Sequence, residues 1–177
     1  MNPFRKNGII SRGQATVEFA ILLPVVISAV LGAVELSNMY LMSLRVSNMS
    51  RQAANIAFRD CAYLPDNNQS SCLANIVSEI RDEGDLLLNS FSANGTVVAS
   101  TYVADANQVV RLVDAESAGD GNYSTQFDTS RIDTSLVINF KRVAIGEVFY
   151  RYTPVTPIGS LFTFLTEETV IYESTVF

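Results

Sequence analysis

From Arg12 to Leu36 the chain reads RGQATVEFAILLPVVISAVLGAVEL, and from Phe19 to Val34 it passes sixteen residues without a charge. At ~1.5 Å rise per residue a helix over about residues 17–36 crosses the roughly 30 Å hydrocarbon layer of a bilayer. Glu18 and Glu35 stand near its two edges. The run therefore predicts a single transmembrane helix. The rest of the chain divides into what precedes it, what prolongs it and what it displays.

A secretory signal peptide has a similar outline, since Arg5, Lys6 and Arg12 form a basic start. Its apolar core is shorter, however, and ends at a small-residue cleavage site. Here Glu18 interrupts the start of the run, and Asn38, Met39 and Tyr40 offer no such site. The same three basic residues, against the more distant Arg45 and Arg51, favour a cytoplasmic N-terminus. The remainder then faces the periplasm or exterior. All 18 acidic residues lie at or after position 18, so loss of residues 1–13 leaves 9 basic residues against 18 acidic and moves the formal charge from −6 to −9. So acidic an exported domain disfavours nucleic acid as a partner.

The helical pattern outlasts the apolar run. Met39, Met42, Val46, Met49, Ala53 and Ile56 recur at spacings of three and four, with Asn38, Arg45, Asn48, Arg51 and Asn55 largely off that stripe. This seam predicts an amphipathic extension over 37–59 that packs on a domain or on another helix. Residues 14–59 thus form one N-terminal helix, kinked at Pro24, where the amide donor is missing. Residues 1–13 are a cytoplasmic leader, and residues 60–177 an exported domain.

Within that domain, AYLPDNNQSS between Cys61 and Cys72 reads as a loop, and Cys72 to Ser90 as a second helix that ends or bends at Gly84. Beyond Asn94 the sequence turns β-branched: Gly95 to Val98, Tyr102 with Val103, and Val109 to Val113 predict strands, with turns at Asn94-Gly95 and at 105–107. Ala115 to Asp133 reads as loop. Ser135 to Ala144 and Glu147 to Thr153 predict two strands separated at Gly146. Ile158 to Leu165 is a short helix or apolar loop, and Thr169 to Phe177 a final strand. No connection supplies helical crossovers, so the expected class is α+β: a long N-terminal helix and a small domain with a second helix and an antiparallel sheet.

Catalytic and metal chemistry find little here. There is no histidine, hence no imidazole base or ligand, and no phosphate-binding glycine motif. Two thiols alone fall short of a zinc shell, and no cofactor is expected. In an oxidising compartment Cys61 and Cys72 close a short loop; otherwise they remain two thiols. An anchored enzyme would have to work from carboxylates alone.

The unusual residue is Glu18, a carboxylate at the mouth of an apolar helix, where insertion costs on the order of 2.5 to 3.5 kcal/mol without a partner. A cut after Gly13 would make Gln14 the N-terminus and place its ammonium one helical turn from Glu18. Glycine, glutamate at the fifth position after it, and a membrane helix resemble the processing site of type IV pilins and pseudopilins, substrates of a membrane prepilin peptidase. Arg12 through Pro24 more closely resembles the TadE/TadF-like pseudopilins of the Tad (Flp) pilus machinery. The likeness rests on Gly13, Gln14, Glu18, the aromatic Phe19 and Pro24. Glu147 to Pro157, EVFYRYTPVTP, is similar to an aromatic strand and prolines late in that family.

Phe19 departs from the tyrosine usual in Tad major pilins, which are also much shorter. The longer TadG-type proteins are excluded by length. The resemblance implies a minor pseudopilin in the bacterial inner membrane, cut after Gly13 and taking part in pilus assembly, adhesion and biofilm formation. Its implied partners are the peptidase, other pilins met through the N-terminal helix, inner membrane platform proteins and the bilayer. A membrane-anchored periplasmic binding or scaffold protein, neither processed nor assembled, is the alternative.

Overall fold

The computed structural model describes residues 10–88, 90–104, 110–120, 123–127, 130, 132, 142–157 and 169–177, with side chains from residue 13 onward. Two compact units emerge. Among the described residues one holds 10–38 and 154–157, and the other 39–153 and 169–177. Helix α1, Ile10–Ile56, contributes to both and contains Pro24 within its length. Pro24 lies inside one continuous helix, which begins a few residues before the expected position 14.

The first unit is dominated by side chains that none of the described residues covers. Val17, Phe19, Ile21, Leu22 and Val25 are all more than half exposed, and none of the most apolar window of α1 is buried. This helix alone, among the described residues, is long and apolar enough to cross a membrane. Such a helix fits a membrane anchor, because apolar side chains exposed all round find their complement in lipid.

The second unit is an α+β domain. Its sheet has the order β2-β1-β3-β4, all antiparallel, built from β1 Gly95–Ala104, β2 Val110–Gly119, β3 Arg142–Arg151 and β4 Val170–Val176. One face packs on helices. Val46, Met49, Ala53 and Ala57 meet Leu73, Ile76, Val77 and Ile80 of α2, Asp66–Leu87, and Val97, Ala99, Ala144, Val148 and Tyr150 of the sheet. The seam written into α1 is the helical share of this core: Val46 and Met49 are fully buried, Met42 half-buried and Met39 still exposed.

At its end α1 widens into a π turn, Ala57–Cys61, and the Ala62 amide closes back on the Ala57 carbonyl. Cys61 then bonds Cys72 across a Cα separation of 5.7 Å. The carbonyls left over in this corner do not go unpaired. Arg142 donates to those of Ala62 and Leu64, and Gln69 to the same two while accepting from the Thr101 hydroxyl at 2.6 Å. Closing so short a loop is worth roughly 3 kcal/mol in the chain-entropy account. Reduction of the disulfide should lower the unfolding midpoint in denaturant correspondingly, and an unchanged midpoint would refute that contribution.

Four local expectations are corrected. Helix α2 starts at Asp66, inside the supposed loop, because Pro65 holds the extended conformation of an N-cap and Asp66 puts a carboxylate in the first turn. It also runs past Gly84, whose missing side chain admits Met49 and Phe91: a Cβ there would lie 2.6 Å from Met49 Cε. In the sheet, Ala115 to Gly119 belong to β2, and Gly146 does not divide two strands but lies within β3. There an added Cβ would meet the Ser50 carbonyl oxygen at 2.4 Å and the Ala54 nitrogen at 2.6 Å, so glycine is what lets α1 lie directly on the sheet. The expected element at 158–165 and most of the strand expected at 135–144 lie outside the described residues.

The sheet's other face is covered in a different way. Tyr102, Val143 and Ile145 cluster with Ile132, and Phe149 stacks on Tyr123, at 4.7 Å, and meets the tilted ring of Tyr172, at 4.8 Å. Beside this stack the carboxylate of Glu147 is fully buried. It accepts from the Thr125 hydroxyl at 2.5 Å, the Gln126 amide at 3.0 Å and the Tyr172 hydroxyl at 2.9 Å.

Candidate functional site: the N-terminal helix

Gly13, Gln14, Glu18, Phe19 and Pro24 lie along one stretch of α1 and every one of them is exposed. Gly13 has nothing within 4 Å of the position a Cβ would take. Its hydrogen side chain therefore answers no packing need among the described residues. Four residues on, one helical turn, the Gln14 amide donates to the Glu18 carboxylate at 3.0 Å. The space one turn before Glu18 is thus occupied by a donor, though a neutral one.

The other carboxylate bordering the span has a different environment. Glu35 accepts the amides of Val155 and Thr156, one on each oxygen, at 3.2 and 2.9 Å. These bonds bridge 120 and 121 residues of sequence within a single compact unit. In the sequence Glu35 stands out only as the edge of the apolar run. A contact so distant along the chain leaves no local signal, although the prolines at 154 and 157 do mark a turn.

Elsewhere the described residues offer modest chemistry. An open cavity of about 300 Å³ lies between β1, β2 and residues 123–125; its carboxylate, Glu116, already accepts from the Ser70 hydroxyl. The hydrogen bond from Arg59 holds the Asp60 carboxyl below its ordinary range, and burial pushes the Tyr150 phenol up. Among the described residues no three carboxylates or thiols stand close enough together to hold a metal ion. What distinguishes the chain is therefore the exposed helix and the residues at its two edges.

No curated protein and no solved structure matches the chain at a significant level. A family model does: residues 13–55 match the one described as TadE-like protein. The match covers less than half of the chain. It starts at Gly13, passes through Glu18, Phe19 and Pro24, and continues through Val46, Met49 and Ala53 of the domain core. Over residues 13–55 the chain is therefore similar to TadE-like proteins, a family of the Tad pilus machinery.

Proposed function

We propose that the protein is a minor pseudopilin of a Tad pilus, inserted in the inner membrane with its N-terminus in the cytoplasm and cut after Gly13 by a prepilin peptidase. The acidic domain is displayed on the periplasmic side. Assembly then packs its apolar helix against those of other pilins, on a platform of inner membrane proteins, and the finished fibre serves adhesion. The observation that carries this reading is the family match, which begins at the glycine expected to be cut.

Two features of the helix support it. Gly13 has open space beside it, so no side-chain packing among the described residues obstructs approach to that position. The Glu18 carboxylate already takes a donor from one turn upstream, where cleavage would leave the ammonium of Gln14. An ion pair there, or with a neighbour's terminus, lowers the cost of carrying a carboxylate along an apolar helix bundle.

The test is the mature N-terminus, read by mass spectrometry from cells containing the cognate peptidase. Gln14 is expected as the first residue of the native chain, and Gly13→Ala is expected to retain residues 1–13. Because the position is open, that variant should keep its fold and its unfolding midpoint. Glu18→Ala should be processed yet fail to enter pili. A native chain that keeps its first thirteen residues would instead favour the unprocessed periplasmic scaffold.

A further inference from the structure

The turn at residues 154–157 brings together three observations that assembly through α1 does not use. Its sequence is Pro-Val-Thr-Pro, so only two of its four residues own an amide hydrogen. Both of those amides, from Val155 and Thr156, are taken by Glu35. Val155 meanwhile presents its side chain outward, 71% exposed, while Thr156 is buried.

Backbone enters the lipid boundary at a penalty of several kcal/mol for each unsatisfied polar group. Here two prolines remove the donors and one carboxylate satisfies the remaining two. The donor Glu35 finds in each amide also neutralises part of its own cost, since an acceptor with two N–H partners needs less from water. The turn is therefore fitted, on its donor side, for a site of low polarity. It is held at Glu35, the first charge after the uncharged run of α1, and the sequence around it carries no charge from Thr153 to Thr166.

We propose that the Pro154 to Pro157 turn is a second membrane-contacting element, dipping Val155 into the boundary between headgroups and acyl chains at the C-terminal end of the span. Glu35 is its positioning residue. The occupant of the exposed face is lipid, because most of the described side chains that share its compact unit are the exposed, apolar ones of the helix between Glu18 and Glu35. This inference rests on the reading of α1 as a membrane anchor. It adds that the exported part of the chain touches the bilayer at a defined place.

The protein has no tryptophan, so a single introduced indole reports on one position. The full chain carrying Val155→Trp is placed in phosphatidylethanolamine and phosphatidylglycerol vesicles, with and without acyl chains brominated near the carbonyl end. Blue-shifted emission, quenching by the brominated lipid and protection from acrylamide are expected. Adding Glu35→Ala should shift the emission to the red and abolish the lipid quenching, whereas Glu35→Gln, which keeps one acceptor, should abolish less of it.

Emission typical of water and open to acrylamide would overturn the proposal. So would shielded emission that brominated lipid leaves unquenched, because protein then covers the turn. Ile27→Trp, at the middle of the span, separates the two levels of the argument. If it is quenched by lipids brominated at mid-chain and Val155→Trp is not quenched by either lipid, the second contact fails and the anchor stands. If neither is quenched, the anchor fails as well.

Discussion

Gly146→Ala should lower the unfolding free energy of the full chain in detergent by about 3 kcal/mol, the upper part of the range for overfilled cores. The added methyl would point at backbone. Its neighbours would be the Ser50 carbonyl oxygen at 2.4 Å and the Ala54 nitrogen at 2.6 Å, neither of which can rotate away. Strand β3 or helix α1 must then retreat, and the bond from the Ser50 hydroxyl to the Gly146 carbonyl, now 2.8 Å, is stretched or lost. Ser50 also lies 2.9 Å from the Thr175 hydroxyl, so β4 shares in the damage. Urea unfolding followed by far-ultraviolet circular dichroism reads the effect. Gly32→Ala is the control, since nothing lies within 4 Å of its added carbon. Equal midpoints for the two variants would refute close packing of α1 on the sheet.

Glu147→Ala should be of similar size, roughly 2 to 5 kcal/mol, through a different mechanism: buried donors left without an acceptor. Three groups converge on this carboxylate, the Thr125 hydroxyl, the Gln126 amide and the Tyr172 hydroxyl. Water does not reach the site to replace it, because Glu147 is fully buried beside the ring stack of Tyr123, Phe149 and Tyr172. Residues 123–127 are expected to loosen first, so limited proteolysis should cut near Gln126 before the helices unfold. Glu147→Gln keeps one acceptor and should fall between wild type and alanine. A proteolysis pattern unchanged in Glu147→Ala would show that the carboxylate does not fasten that segment.

Periodicity carried much of the architecture in legible form. The apolar run and the three-and-four spacing of Met42, Val46, Met49 and Ala53 point to a long helix with a buried second half, and β-branched runs mark the sheet. The failures have specific causes. Asp66 to Ser71 carries no apolar rhythm, because Gln69 is buried there through its hydrogen bonds and not through hydrophobicity. Ala115 to Gly119 is small and acidic because it lies at the sheet's edge, so it lacks the usual strand composition. Gly146 looks like a breaker until the helix above it is known.

The candidate site divides in the same way. Gly13, Gln14, Glu18, Phe19 and Pro24 form a local pattern, and local patterns survive in a linear text. The bonds from Val155 and Thr156 to Glu35, and the three donors on Glu147, join segments 21 to 121 residues apart. Nothing in the neighbouring residues announces them. Alternation in β3 does place Glu147 on the face opposite Val148 and Tyr150, but its burial depends on residues 123–127 lying over that face.

That α1 supplies both the exposed span and the wall of the domain core sets where the chain can be divided. A fragment trimmed to the residues beyond the first helix, from about position 60, would discard Val46, Met49, Ala53 and Ala57 and open the sheet's packed face to water. A soluble piece suited to crystallisation or antibody production has to begin near Met39, the first residue of the domain's own compact unit. It then keeps Arg45, whose guanidinium holds the Leu87 carbonyl at 2.7 Å and so closes the far end of α2.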